Sequence, residues 1–297
     1  MEINTADPRT SAGAAGNARG SAQLQERLAG VRGLVLDLDG VLTVRGVLLP
    51  GADEALGALD ARGLPYLVGT NVSLASRATL ARELTEAGLP ISAERIVSAV
   101  STAGALARRR YGSRPLYVMA SQDALTEFAG LQLLSHDEAA EPEARVAAVI
   151  VGDAADEFTS RNMQSAFRLV RNGARLVAMH KNRWWLTPDG ATLDAGAYVA
   201  GLEFATERRA FVTGKPSPTF FREAVRLLAQ KTATGRRTAS RFGTWQWSAT
   251  TCGTTSEARR RPAYVAFSFG RASTATRSWR APPSEAAGHR MPLRLRS

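Results

Sequence analysis

The sequence predicts an α/β protein built on a parallel β-sheet. From residue 31 to about residue 229, short apolar runs alternate with amphipathic stretches, a pattern typical of strands joined by crossover helices. Polar side chains follow three of these runs, at Asp37, Thr70 and Lys215. Hydrophobic residues make up 44% of the 297-residue chain, and no apolar run is long enough to span a membrane. These observations favour a globular chain that can form two modest domains.

The elements follow from the spacing of apolar residues and from turn signals. Strands are predicted at residues 33–38, 66–69, 116–119, 146–151, 176–179 and 210–213. Helices are predicted at residues 52–62, 73–87, 124–128, 161–171, 197–205 and 218–229. The first helix follows Pro50 and Gly51, and the second directs Leu74, Leu80 and Leu84 inward.

The two ends of the chain differ from this pattern. Residues 1–30 are small and polar without the apolar core of a signal peptide, so we predict a disordered leader and a cytoplasmic protein. Residues 231–297 contain 13 Lys and Arg against two Glu, so the whole net charge of +11 lies there. We predict a disordered basic tail. Cys252 is the single cysteine, which excludes a disulfide framework within one chain.

Two carboxylates follow the first predicted strand, in the segment Asp37-Leu38-Asp39-Gly40. The carboxyl end of a buried parallel strand is the usual position of catalytic groups in an open α/β sheet. One carboxylate can attack phosphorus, and the other can protonate the leaving oxygen and then activate water. Because close carboxylates repel each other, the pair also indicates a cation, most naturally Mg²⁺. A lone pair with this spacing is more often a solvated acidic turn.

Two further segments carry candidate phosphate ligands. Thr70 and Asn71 follow the second predicted strand, where their side chains could bind a phosphoryl group or simply cap the next helix. Lys215 follows the strand at 210–213 and is one of three lysines in a chain that otherwise uses arginine. A lysine supplies a compact point charge rather than a planar fork.

These three segments together resemble the haloacid dehalogenase superfamily, in the subfamily IIA with a C2-type cap domain. The resemblance implies a Rossmann-like core with an inserted α/β cap. It assigns Asp37 as nucleophile, Asp39 as acid and base, and Asp37 and Asp39 as Mg²⁺ ligands, with Thr70, Asn71 and Lys215 on the phosphate. It places the core at residues 31–91 and 204–230 and the cap at residues 92–203, which could close over the site.

Other polar residues of the predicted cap have simpler interpretations. His180 and Trp184 could contact substrate, but packing in a core or a hairpin is the favoured interpretation. Asp153 and Asp156 follow an apolar strand and imitate the superfamily's fourth, metal-binding motif. That motif must follow Lys215 in the chain, so we interpret Asp153 and Asp156 as a turn in the cap.

The fourth motif itself is missing, because no aspartate occurs between Lys231 and Ser297. If Trp245 to Cys252 are written as plausible codons and shifted by one base, they read Val-Ala-Met-Val-Gly-Asp-Asp-Val, which resembles the motif. The agreement continues for about thirty residues in one phase. We therefore predict a frameshift between residues 230 and 243, so that residues 231–297 are out of frame and the sheet is truncated.

The resulting hypothesis is a Mg²⁺-dependent phosphatase that hydrolyses a small phosphorylated compound or pyrophosphate and is impaired by the missing motif. A catalytically inactive remnant is one alternative. A nucleic-acid-binding protein that uses the basic tail is another, although a nucleic-acid partner is not favoured. We expect no membrane partner. The cap could also form the interface of a homodimer.

Overall fold

The computed structural model describes residues 31, 33–44, 46–187 and 190–233. The predicted leader at residues 1–30 lies outside this part of the chain, as does the predicted tail from residue 234 onward. The described residues confirm the predicted α/β class, with two parallel sheets and flanking helices. None of the helices in these ranges is both long and apolar enough to cross a membrane.

The first sheet contains three parallel strands in the order β1-β4-β5. They are β1 (Leu34–Asp37), β4 (Tyr66–Thr70) and β5 (Ile96–Ser98). The register pairs Asp37 of β1 with Gly69 of β4, so both strands end at the same edge. A short hairpin of β2 (Thr43–Val44) and β3 (Val47–Leu48) follows β1.

Both faces of the first sheet are covered by helices. Leu34 and Leu36 point to the face packed by α1 (Ala52–Ala61) and α2 (Arg77–Glu86). Val35 points to the opposite face, where Phe220 and Leu228 of α8 (Pro218–Ala233) pack. This alternation follows from the two-residue period of a strand, and burial on both faces explains the continuous apolar sequence of β1.

The second sheet contains four parallel strands in the order β11-β8-β7-β6. They are β6 (Leu116–Met119), β7 (Ala148–Val151), β8 (Arg175–Ala178) and β11 (Phe211–Val212). The helices that accompany this sheet are α3 (Ala99–Tyr111), α4 (Gln122–Leu125), α5 (His136–Ala140), α6 (Ser160–Arg171) and α7 (Ala195–Thr206). An antiparallel hairpin of β9 (Trp184–Thr187) and β10 (Gly190–Leu193) follows β8.

The sheet pairing divides the chain at different residues from the predicted cap boundaries of 92 and 203. The segment after residue 92 forms β5, which pairs with β4 in the first sheet. The segment after residue 203 contains β11, which pairs with β8 in the second sheet. The motif containing Lys215 therefore leaves the second sheet rather than the first.

The pattern gave no indication of β5 and α3, because α3 is rich in small residues and lacks a clear apolar period. Its alanines are buried against the second sheet, among them Ala99, Ala103 and Ala107. At Gly104 an added Cβ would lie 2.4 Å from the carbonyl oxygen of Glu127. Small residues thus permit close backbone approach here, which a hydrophobic periodicity does not reveal.

Loop 71–77, which leads from β4 into α2, is hydrogen-bonded to residues at the carboxyl end of the second sheet. Most of its partners come from the segments that follow β6, β7 and β8. The pairs are Ser73 with His180 and Asp153, Leu74 with Ser121, Ser76 with Asp123, and Arg77 with Glu127. The carboxyl ends of both sheets therefore meet at this loop.

Candidate active site

The two candidate carboxylates lie where β1 ends and the chain turns. Gly40 adopts a φ of 82°, a left-handed conformation that glycine reaches without a steric penalty. Its N–H donates to the carbonyl of Thr43 at 2.7 Å, and the N–H of Leu42 donates to the carbonyl of Leu38 at 2.9 Å. This tight turn takes the chain out of strand geometry directly after Asp37, as the sequence indicated.

Thr70 ends β4 beside these carboxylates. Its side chain is fully buried, and its hydroxyl donates to Oδ2 of Asp39 at 3.4 Å. The hydroxyl oxygen of Thr70 also accepts the backbone N–H of Val72 at 3.1 Å. The helix-cap alternative does not hold, because Ser76 caps α2 by accepting from the N–H of Thr79.

Lys215 reaches the site from the segment after β11. Its Nζ donates to Oδ1 of Asp37 at 2.5 Å and to the carbonyl of Gly69 at 3.1 Å. The Lys215 side chain is 21% exposed and that of Asp37 is 31% exposed, so the ion pair is partly open to solvent. The structure thus brings together two residues separated by 178 positions in the chain.

Asn71 joins the same site through its side-chain amide. The amide oxygen accepts the backbone N–H of Lys215 at 2.8 Å, and the amide nitrogen donates to the carbonyl of Lys215 at 3.1 Å. The five predicted site residues therefore lie in two hydrogen-bonded sets at this edge. Asp37 and Asn71 bind Lys215, and Thr70 binds Asp39.

The surroundings of the second carboxyl, that of Asp39, raise its pKa above the ordinary value. Loss of hydration raises the pKa of Asp39, and the neighbouring Asp37 carboxylate raises it further. The Lys215 ammonium and the Thr70 hydroxyl lower this pKa and partly oppose the shift. The Asp39 residue as a whole keeps exposed surface, so solvent and substrate can reach it. A carboxyl with a raised pKa, next to an ion-paired carboxylate, is suited to proton transfer.

The two carboxylates at this edge could supply some of the oxygen ligands of a hard cation such as Mg²⁺. Asp37 and Asp39 supply carboxylate oxygens, which Mg²⁺ prefers, and Mg²⁺ is often held by only one or two carboxylates together with phosphate and water. Within the described residues, no three or more His, Cys, Asp or Glu side chains gather in a way that could hold a metal ion. The described chain thus offers Mg²⁺ two carboxylates.

The residues given simpler interpretations lie elsewhere. Asp153 follows β7, and its carboxylate accepts the N–H of Ala155 at 3.0 Å, consistent with the predicted turn. Asp156 is exposed in the short turn of helix that follows. His180 is 2% exposed and is buried as expected. Trp184 pairs with Leu193 across the predicted hairpin but is 59% exposed, so it does not pack in a core.

Sequence reasoning missed the polar contacts that attach loop 71–77 to the second sheet. Asp123 accepts the N–H of Ser76 at 2.7 Å and the hydroxyl of Thr79 at 3.0 Å. Glu127 accepts the N–H of Arg77 at 2.8 Å and pairs with its guanidinium. Each pair is separated by more than forty positions, and no local spacing signals such a contact.

Comparison with known proteins agrees with this geometry. A model of the haloacid dehalogenase-like hydrolase family matches residues 34–133. Haloacid dehalogenase-like hydrolase domain-containing protein 2 of Rattus norvegicus is 36% identical over 196 residues, which are 66% of this chain and 71% of that protein. Phospholysine phosphohistidine inorganic pyrophosphate phosphatase of Xenopus laevis is 34% identical over 209 residues, which are 68% of this chain and 73% of that protein.

Solved structures give the same result. A p-nitrophenyl phosphatase from Archaeoglobus fulgidus matches with a TM-score of 0.60 at 25% identity, covering 67% of this chain and 74% of that one. NagD from E. coli K-12 matches with a TM-score of 0.59 at 27% identity, covering 67% of this chain and 75% of that one. The chain belongs to the haloacid dehalogenase-like hydrolase family, and the resemblance found in its motifs is confirmed.

Proposed function

We propose that this protein derives from a phosphatase that hydrolyses a small phosphorylated compound through an aspartyl-phosphate. One observation carries the proposal, namely the Asp37 carboxylate held by the Lys215 amine at 2.5 Å, at the edge where Asp39 and Thr70 also meet. Two of the relatives described above are named as phosphatases, which supports the same reaction class.

In the proposed reaction, a carboxylate oxygen of Asp37 attacks phosphorus and forms a new oxygen–phosphorus bond. The bond from phosphorus to the leaving oxygen breaks, and Asp39 gives that oxygen its proton. Asp39 then takes a proton from water as the water oxygen attacks phosphorus. Inorganic phosphate leaves, and the Asp37 carboxylate is restored.

The remaining groups stabilise charge on the transferring phosphoryl group. The Lys215 ammonium offsets repulsion between the Asp37 carboxylate and the phosphate oxygens. The Thr70 hydroxyl can turn from Asp39 to a phosphate oxygen, since its present hydrogen bond is long at 3.4 Å. Mg²⁺ would be held by Asp37 and Asp39 and would neutralise part of the phosphate charge.

We further propose that this chain, as its sequence stands, is impaired. The resemblance implies a further acidic, metal-binding motif after Lys215, and residues 231–297 contain no aspartate to supply it. In addition, β1 has a paired neighbour on one side only among the described strands. An unpaired strand edge exposes backbone groups at the catalytic position.

The test compares the purified chain with a version whose reading frame is restored after residue 230. Both are assayed with pyrophosphate and with p-nitrophenyl phosphate, with and without Mg²⁺. We expect Mg²⁺-dependent hydrolysis from the restored chain and little or none from the present one. In the restored chain Asp37→Asn should abolish turnover, whereas Asp53→Asn, at an exposed position of α1, should leave it nearly unchanged.

Two outcomes would contradict the proposal. Equal activity of both chains would mean that the impairment is wrong. Full activity of Asp37→Asn in the restored chain would mean that the assigned nucleophile is wrong. We also propose a cytoplasmic location.

The basic segment 231–297 supports a second candidate, binding to nucleic acid through its net charge of +11. Affinity for single-stranded RNA that falls steeply with added salt, and that disappears on removal of residues 234–297, would favour this candidate.

A further inference from the structure

The connection from β11 to Lys215 begins as an extension of the second sheet. The N–H of Thr213 donates to the carbonyl of Ala178 at 2.9 Å, and the N–H of Gly214 donates to the carbonyl of Met179 at 2.6 Å. Both acceptors belong to the end of β8 and the residue after it. Up to residue 214, the chain that carries Lys215 is therefore positioned by the second sheet.

At Lys215 the backbone stops bonding to the second sheet and bonds instead to Asn71, which follows β4 of the first sheet. The backbone N–H of Lys215 donates to the Asn71 side chain at 2.8 Å instead of to a strand. The Asn71 amide also donates to the carbonyl of Lys215 at 3.1 Å, so one side chain binds both backbone groups of a single residue. Such two-point binding fixes both the position and the direction of the Lys215 backbone.

Gly214 confirms how closely Asn71 approaches this backbone. A Cβ added to Gly214 would lie 2.7 Å from Oδ1 of Asn71 and 2.5 Å from the carbonyl oxygen of Met179. Real Cβ atoms do not come this near to oxygen, so the close approach depends on a glycine at position 214. Asn71 is thus packed against the connection as well as bonded to it.

We propose that Asn71 is a positioning residue that sets the Lys215 amine against the Asp37 carboxylate. This role differs from that of the predicted phosphate ligand, because one amide N–H and the amide oxygen are already used on Lys215. The importance of this contact for catalysis rests on the proposed function. The contact itself can be tested without any turnover.

The experiment measures acetylation of individual lysines in the full-length chain with acetic anhydride, followed by mass spectrometry of peptides. Lys181 is an internal reference, because its amine is likewise bound to a carboxylate, that of Glu203 at 2.6 Å, and its side chain is 34% exposed. Asp37→Asn serves as a positive control, since it removes the carboxylate charge that binds the Lys215 amine.

In Asn71→Ala we expect the acetylation rate of Lys215, relative to Lys181, to rise about two- to tenfold, the range that corresponds to the net strength of one hydrogen bond. Asn162→Ala is the matched control, because Asn162 also donates from its side-chain amide to a backbone carbonyl, that of Glu157 at 2.9 Å. It should leave the Lys215 to Lys181 ratio unchanged.

A second variant covers a failure of Asn71→Ala to fold. Asn71→Leu keeps a similar branched shape and removes both hydrogen bonds to the Lys215 backbone without adding a charge, so it should give a similar rise. An unchanged ratio in both Asn71 variants would overturn the proposal. It would also be overturned if Asn71→Ala changed only the protection of Lys215 by inorganic phosphate, because that result indicates a phosphate ligand.

If the proposed phosphatase function is wrong, the two measurements give a different combination of results. The restored chain would then lack phosphatase activity, while the acetylation ratios of the Asn71 variants would still rise.

Discussion

Gly214→Ala tests the junction between the two sheets through its effect on stability. The added methyl group would lie 2.5 Å from the Met179 carbonyl oxygen, 2.7 Å from Oδ1 of Asn71 and 3.1 Å from the Cβ of Ala99. The Met179 carbonyl cannot move freely, because it accepts the N–H of Gly214 at 2.6 Å. The connection must therefore shift, and the hydrogen bond from the Lys215 N–H to Asn71 is weakened.

The magnitude follows from two terms. Overpacking of a close-packed site costs about 1–3 kcal/mol, and loss of one hydrogen bond costs about 0.5–1.5 kcal/mol. We expect Gly214→Ala to lower the free energy of unfolding by about 1.5–4.5 kcal/mol in total. Urea denaturation followed by circular dichroism measures this change through the shift in midpoint.

Glycine to alanine at Gly201, in the exposed part of α7, should change the free energy of unfolding in the opposite direction. A Cβ there meets no atom within 4 Å. Alanine should therefore raise stability by about 0.5–1 kcal/mol, because it reduces the backbone freedom of the unfolded chain. The reasoning would be refuted if Gly214→Ala were as stable as the unmodified chain, or as stable as Gly201→Ala.

Two further predictions concern stability and pH, measured by urea denaturation in the presence of EDTA. Because the pKa of Asp39 is raised in the fold, the free energy of unfolding falls as pH rises above the ordinary pKa of 3.8. Asp39→Asn removes this effect, so it should stabilise the chain at pH 7 but not in acid. A stabilisation that persists in acid would contradict this cause. The side chain of Glu223 is 4% exposed and lies between Arg109 and Arg226. Loss of hydration raises the pKa of Glu223, but the hydrogen bonds and charges of the two guanidinium groups together lower it by more, so this pKa lies below its ordinary value. Glu223→Gln should therefore destabilise the fold by about 1.5–3 kcal/mol at neutral pH, and by less as pH falls below 4.5, the ordinary pKa of a glutamate. Glu86→Gln, in the exposed pair with Arg82, should cost under about 0.5 kcal/mol. Equal effects of the two substitutions would contradict the role of burial.

Local patterns were sufficient for most elements of the fold. The strand at Leu116–Met119 has the predicted bounds, and the first helix ends at Ala61, one residue before its predicted end. These segments have apolar residues at the spacing of their own element, flanked by turn residues, so their conformation is favoured locally. The segment containing β5 and α3 was missed because its burial depends on small residues packed between layers.

The candidate site was predictable as a set of residues but not as an arrangement. Asp37, Asp39 and Thr70 follow strand ends, and parallel strands of one sheet end at one edge, so their meeting could be predicted from the sequence. Lys215 was expected from a strand of the same core. The structure instead brings it from the second sheet, since β11 pairs with β8.

The division between the two sources of information has a physical reason. The chain's own sequence determined the strand-ending carboxylates and the turn at Gly40, because each depends on neighbours within a few positions. Only the tertiary structure decided which sheet carries Lys215 and what Asn71 binds. The pairing of β11 with β8 joins residues 34 positions apart, and the contacts of Lys215 with Asn71 and Asp37 join residues 144 and 178 positions apart. Their geometry follows from how the two sheets meet at a shared edge.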